Sequence, residues 1–213
     1  YKNMDRYFAR NVEGYETYRY YDGNAVLRSW ICIPLTMGIY NRAEGTVAAL
    51  FSDKLWMENG LLTQSGTSTY WDRSTLYAFR GAYACGAREI ATEYLEKYSA
   101  TRLLGDHVPY AVEAWPEGNQ RHLSTESALY CRIMTEGLFG IRPIALNAFK
   151  LTPQLPEGWN TMSLKRICAF GTTFDIEVKR NKGNTLLVLI KKDDKIIEKY
   201  KVGNGKPIEV RIK

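Results

Sequence analysis

Ser124-Thr125-Glu126-Ser127-Ala128-Leu129-Tyr130-Cys131-Arg132-Ile133-Met134-Thr135-Glu136-Gly137-Leu138-Phe139-Gly140, followed by Ile141-Arg142-Pro143, is where the chain changes character. Leu129, Ile133 and Leu138 fall on one stripe of a helix, Ser124 is placed to cap it, and Gly140 stops it. Beyond Pro143 the texture is different. Residues 151–160 are rich in proline, and residues 173–179, 185–190, 196–202 and 208–212 are short β-branched runs whose spacing suits a meander or sandwich. Residues 181–184 and 203–206 supply the Gly and Asn that tight turns require. The boundary between the two textures is expected near Lys150.

Working back from this stretch, residues 74–97 carry Leu76, Phe79, Tyr83, Ala87, Ile90 and Tyr94 at three- and four-residue spacing. That period predicts an amphipathic helix, with Asp72 or Ser74 as its cap. Weaker helical patterns cover residues 4–12, 25–37 (interrupted by Pro34) and 44–51. The first two thirds of the chain therefore read as helices joined by long polar loops. Two of these loops, residues 56–72 and 107–122, are rich in aromatic and ionisable side chains, and loops of that length in a helical protein are usually functional or disordered. Their aromatic content argues for function.

Composition narrows the class. The 213 residues are 45% hydrophobic and 24% charged, an ordinary globular balance with enough apolar side chains for a real core. The net charge of +6 is concentrated in the last third, but Asp193, Asp194 and Glu198 interrupt the lysine run. This reads as a solvated strand surface and not as a nucleic-acid footprint. No stretch reaches the roughly 20 apolar residues that span a bilayer, so no membrane partner is expected. Cys32, Cys85, Cys131 and Cys168 are widely spaced, and no His pair has metal-ligand spacing. Neither a metal nor an organic cofactor is expected.

Three stretches together resemble a family. Glu58-Asn59-Gly60-Leu61-Leu62-Thr63 with Ser68-Thr69-Tyr70-Trp71 precedes one strong helix, and Val112-Glu113-Ala114-Trp115-Pro116-Glu117-Gly118 precedes the next. Glu136-Gly137-Leu138-Phe139-Gly140-Ile141-Arg142-Pro143 with Leu155-Pro156-Glu157-Gly158-Trp159 is the most specific of the three. In this order they resemble the six-hairpin glycosidases, whose catalytic domain is an (α/α)6 toroid often followed by a β-sandwich. The resemblance implies an α+β multidomain chain: residues 1–149 as the C-terminal part of the toroid, and residues 150–213 as a small antiparallel β-domain. It also implies that the rest of the toroid, with the general acid, lies upstream, and that the protein is periplasmic or secreted.

The same resemblance makes Glu113 the general base of an inverting glycoside hydrolase, with Glu117 as its closest rival. Inversion needs an acid on one face of the sugar and a carboxylate activating water on the other, about 6.5–9.5 Å apart. Glu113 lies beside Trp115 and Pro116, where partial desolvation favours a base. Trp71 and Trp115 are candidates to stack on the apolar face of a pyranose, flanked by Tyr70 and Asp72 as hydrogen-bonding groups. Core packing is the competing reading for both tryptophans. Glu58 and His122 complete the candidate substrate ligands. The partners expected are a carbohydrate substrate and the remainder of the toroid.

Three other activities compete. Phosphorolysis would use Arg121-His122-Leu123-Ser124 at a helix N-terminus as an anion site, although the Glu113 carboxylate would repel phosphate. A polysaccharide lyase on a similar toroid would abstract a proton with Tyr or His, and the chain has 15 tyrosines. A non-catalytic carbohydrate-binding protein would carry no acid at all.

Overall fold

The computed structural model describes residues 2–104, 114–115 and 124–212, which form helices in the earlier part of the chain and antiparallel sheets in the later part. The architecture is α+β, in two compact units, Tyr1–Gly137 and Leu138–Lys213.

The first unit begins with α1 (Lys2–Phe8), but the helical pattern of residues 4–12 does not continue. A hairpin replaces it, β1 (Ala9–Val12) pairing with β2 (Tyr15–Tyr18) in the register Val12↔Tyr15. Glu13 and Gly14 turn the chain with φ of 50° and 96°, two left-handed residues that match the twist of the strands. The expected helix over 25–37 shrinks to a single 3-10 turn, Ser29–Cys32, and α2 (Ile33–Thr36), with Pro34 in its first turn where a missing N–H costs nothing. α3 (Ala43–Leu50) follows the reading of residues 44–51 closely. It packs on β2 through a buried hydroxyl pair, Thr17 Oγ1 to Thr46 Oγ1 at 2.8 Å.

β3 (Trp56–Met57) and β4 (Gly60–Leu61) make a short hairpin, and β5 (Tyr70–Trp71) leads directly into α4 (Asp72–Ala84). The helical period of residues 74–97 is folded in half: α4 ends at Ala84 and α5 (Arg88–Arg102) returns beside it. Gly86, at φ 92°, supplies the left-handed residue that stops α4, so Ala87 lies in the turn. Three contacts set the antiparallel register. Tyr83 Oη lies 2.8 Å from Thr92 Oγ1 near the turn, the Phe79 and Tyr98 rings meet at 5.9 Å, and Asp72 pairs with Arg102 at the open end.

After β6 (Ala114–Trp115), α6 (Ser124–Arg132) continues as a π-helical segment over Ile133–Leu138. It lies parallel to α4, because Arg73 bonds Glu126 at 2.8 Å in the first turns and Arg80 meets Glu136 at 2.9 Å farther along. Gly137 permits the approach: a Cβ there would lie 3.0 Å from the Tyr83 ring.

The second unit contains β7 (Arg142–Ala145), β8 (Ala148–Leu151), β9 (Thr161–Ala169), β10 (Thr172–Arg180), β11 (Thr185–Lys192), β12 (Lys195–Gly203) and β13 (Ile208–Arg211). The predicted runs at 173–179, 185–190, 196–202 and 208–212 appear as the last four strands. β9 to β12 form an antiparallel meander, and β13, β8 and β7 form a second sheet. Phe174, Ile176 and Val178 of β10 are buried at alternate positions, as are Leu186, Val188 and Ile190 of β11. Phe149 of β8 stacks on Phe174 at 5.8 Å and on Phe170 at 5.7 Å, joining the two sheets. Lys150 lies within β8, paired with Glu209, so the hairpin upstream of it belongs to the β-unit and the division falls at Gly137 and Leu138.

The proline-rich segment is held without a strand of its own. Asn204 donates from Nδ2 to the Leu155 carbonyl at 2.7 Å and accepts the Leu155 N–H at 3.0 Å, imitating a strand neighbour.

Candidate functional site

β5 and β6 join the two long loops that the sequence singles out. Tyr70 pairs with Trp115 and Trp71 with Ala114, antiparallel, so residues 114–115 lie beside the two residues that lead directly into α4. Glu113 is the residue preceding β6, and Glu117 follows two positions after it. Glu113, Glu117 and His122 lie outside the described residues, and Trp115 is placed by its backbone pairing alone.

Beside this pairing stands a cluster of half-buried aromatic rings. Trp71 meets Trp30 edge to face at 5.2 Å, and Trp30 meets Tyr77 at 6.3 Å. Trp30 also lines an apolar groove of about 490 Å³ between α1, β2 and the segment that ends in α2, together with Phe8, Tyr18, Tyr20, Ile33 and Met37. That volume is in the usual range for a small-molecule site.

Charge is arranged along the neighbouring face of α4. Arg73, Tyr77 and Arg80 are spaced four and three residues apart, which puts them on one helical face. The Arg80 guanidinium lies 5.8 Å from the Tyr77 ring centre, and Glu136 is shared between Arg80 and Arg132. Hydrogen bonding to Glu136 raises the Arg132 pKa, more than burial lowers it. Glu126 is wholly buried: Oε1 accepts from Arg73 Nε, and Oε2 has no hydrogen-bond partner among the described residues.

The other sequence-derived candidates are placed differently. Asp72 is not a helix cap; the N-cap is Trp71, whose carbonyl accepts the Ser74 and Thr75 hydroxyls at 3.0 Å each. The Asp72 carboxylate faces the interior, fully buried, and holds Arg102 through two bonds of 3.0 and 2.9 Å. Arg102 also donates to the Asn59 carbonyl at 3.2 Å, so this pair anchors the β3–β4 turn. Burial raises the Tyr98 hydroxyl pKa well above its ordinary range, and the Asp72 charge beside it adds to the rise. Glu58 sits exposed at the tip of the β3–β4 turn, and Tyr70 is half-buried.

Reading the sequence misses Trp30, Arg73, Tyr77 and Glu126. The four-and-three spacing of Arg73, Tyr77 and Arg80 is available as a signal, but the same spacing describes most solvated helix faces. Glu126 resembles an ordinary first-turn acid near a helix N-terminus, and only its complete burial marks it out.

Among the described residues no three His, Cys, Asp or Glu side chains gather as a metal site, and no helix is long and apolar enough to cross a membrane. No protein family, curated protein or solved structure matches this chain.

Proposed function

We propose that the chain is part of a glycoside hydrolase, that its first unit is one section of an (α/α)6 toroid, and that Glu113 is the general base of an inverting reaction. The observation that supports this reading most is the pairing of Tyr70 with Trp115 and of Trp71 with Ala114. It ties the segment bearing Glu113 to a strand whose next residues open α4, beside the Trp30, Trp71 and Tyr77 rings. A sugar ring needs an apolar plate for its C–H face and ionisable groups for its hydroxyls, and both occur together here. The local helix order also suits a toroid, since α4 and α5 are antiparallel and α6 returns parallel to α4. On this reading Trp71 and Trp115 flank the substrate, Asp72 supports the site through Arg102, and the second unit is the β-domain that follows the toroid.

In the mechanism, the Glu113 carboxylate takes a proton from a water molecule as that water attacks the anomeric carbon. An acid on the opposite face protonates the departing oxygen, so the product has the inverted anomeric configuration. The experiment follows anomeric proton signals while the complete enzyme, with the upstream part of the toroid that carries the acid, acts on a panel of aryl glycosides and oligosaccharides. Inversion is expected. A first-formed product with retained configuration would remove Glu113 as a simple base, and absence of turnover across the panel would remove the hydrolase reading.

A further inference from the structure

The groove of about 490 Å³ beside Trp30 has walls too apolar for a bare polyol, yet it is large enough for a small fused-ring molecule. α1 buries none of its seven residues, and its Met4 and Phe8 line the groove instead of entering a core. Phe8, Tyr18, Tyr20 and Trp30 supply aromatic walls, while Ile33 and Met37 supply aliphatic ones. Tyr20 is held at the rim, with the Arg28 guanidinium 5.3 Å from its ring centre.

Tyr18 carries the polar end of the groove. It is only 2% exposed, and its hydroxyl has no hydrogen-bond partner among the described residues. Asp5, next to Met4 in α1, has one carboxylate oxygen bound by the Asn41 amide, while its buried Oδ1 is likewise unpartnered among the described residues. The two groups are near enough that the Asp5 charge adds to the rise that burial gives the Tyr18 hydroxyl pKa, so the phenol stays protonated and able to donate. Leaving a buried donor and a buried acceptor open costs free energy, and native proteins rarely keep such groups without a use for them. One inserted hydroxyl has the chemistry to complete both, its oxygen accepting from Tyr18 and its proton going to Asp5. Charge narrows the class further. Arg19, which also lines the groove, is engaged by Asp22 and by the Tyr7 carbonyl, so an anionic ligand would meet the Asp5 carboxylate without compensation.

We propose that this groove binds a neutral hydroxylated aromatic molecule, a phenol, with its ring against Trp30 and Phe8 and its hydroxyl between Tyr18 Oη and Asp5 Oδ1. The proposal goes beyond the glycoside hydrolase reading and does not rest on it, since neither Glu113 nor the β5–β6 pairing takes part.

The test titrates 2-naphthol, naphthalene, 2-naphthoate and 2-decalol calorimetrically into the chain at neutral pH. A hydrogen bond to a charged acceptor corresponds to roughly tenfold to a hundredfold in affinity, and 2-naphthol is expected to exceed naphthalene by that factor. Naphthoate, repelled by Asp5, and decalol, which lacks the flat ring, are both expected to bind more weakly than 2-naphthol. Tyr18→Phe keeps the ring and removes the hydroxyl, and should narrow the gap between 2-naphthol and naphthalene by about threefold or more. Met37 is 68% exposed, so Met37→Glu should leave the melting temperature unchanged while weakening 2-naphthol by about tenfold or more. If Tyr18→Phe does not fold, the wild-type series and Met37→Glu still decide. Equal binding of 2-naphthol and naphthalene would overturn the proposal, with an internal water then completing Tyr18 and Asp5. It is equally overturned if no probe binds, if naphthoate or decalol binds as tightly as 2-naphthol, or if either variant binds as the wild type does. Self-association of the chain that Met37→Glu abolishes would also overturn it, because the groove would then be covered by a second copy.

Discussion

Asp72 and Arg102 close the open end of the α4–α5 hairpin with two parallel hydrogen bonds of 3.0 and 2.9 Å, both side chains almost wholly out of contact with water. Such a pair contributes little net stability compared with a well-packed apolar replacement, but breaking it leaves one charge buried and alone. Asp72→Asn is therefore expected to destabilise the first unit by about 3–5 kcal/mol. Replacing both residues together, as Asp72→Leu with Arg102→Met, is expected to cost far less. Urea unfolding of the two variants checks this, and a single variant no less stable than the double one would contradict it.

Glu13 makes stability depend on pH. Burial pushes its carboxyl up, but the Leu27 N–H, the Ser65 hydroxyl and the Lys54 ammonium outweigh that and hold the pKa below the ordinary carboxylate value. A depressed folded pKa contributes stability that is present above the unfolded value and lost as pH falls through the folded one. The melting-temperature gap between wild type and Glu13→Gln should be full at neutral pH and close below about pH 4.5, the side on which the carboxylate becomes protonated. A gap that widened on acidification would mean that the three contacts do not stabilise the ionised form.

Gly45 marks where α3 presses on β2. A Cβ at this position would collide with the Glu16 carbonyl, a backbone atom that cannot rotate aside. Gly45→Ala should destabilise by about 1–3 kcal/mol, the usual cost of overpacking, even though alanine is the better helix former. An unchanged or higher denaturation midpoint would show that α3 can move away from β2 freely.

In the second unit, Asn204→Ala removes both hydrogen bonds to the Leu155 backbone and leaves that buried N–H and carbonyl unpaired. A loss of about 1–3 kcal/mol is expected, with fast amide exchange at Leu155. Retained protection at Leu155 would mean that water or a rearranged turn replaces the side chain.

The β-unit is legible in the sequence because Phe174, Ile176 and Val178 alternate with polar neighbours, a period that a helix cannot use to bury one face. β9 is not legible, since Lys165, Arg166 and Cys168 at its outer end break the alternation. The helix expected over 4–12 fails at Glu13-Gly14, where turn chemistry overrides a weak period. The single helix expected over 74–97 fails at Gly86, because both halves of the hairpin keep the same three-and-four spacing and only the glycine separates them. For the candidate site, the two chemistry-rich loops are legible from composition, and their pairing through Tyr70 and Trp115 is not. Contact between distant segments leaves no periodic trace. Asp72 reads in sequence as a substrate ligand because its partner, Arg102, lies thirty positions away.

Glu113 carries the proposed reaction, and Glu113→Gln beside the matched control Glu117→Gln tests that role most directly. The amide keeps the size of the carboxylate but cannot take a proton from water, and general-base assistance typically contributes about 10²–10⁴-fold. The measurement is kcat and KM of both variants in the complete enzyme, on the glycoside that it turns over fastest, with melting temperatures alongside. Glu113→Gln is expected to lose at least about a hundredfold in kcat with KM and melting temperature nearly unchanged, and Glu117→Gln to keep most of its activity. Unchanged kcat in Glu113→Gln would contradict the assignment, and a selective loss in Glu117→Gln would transfer the base to that residue.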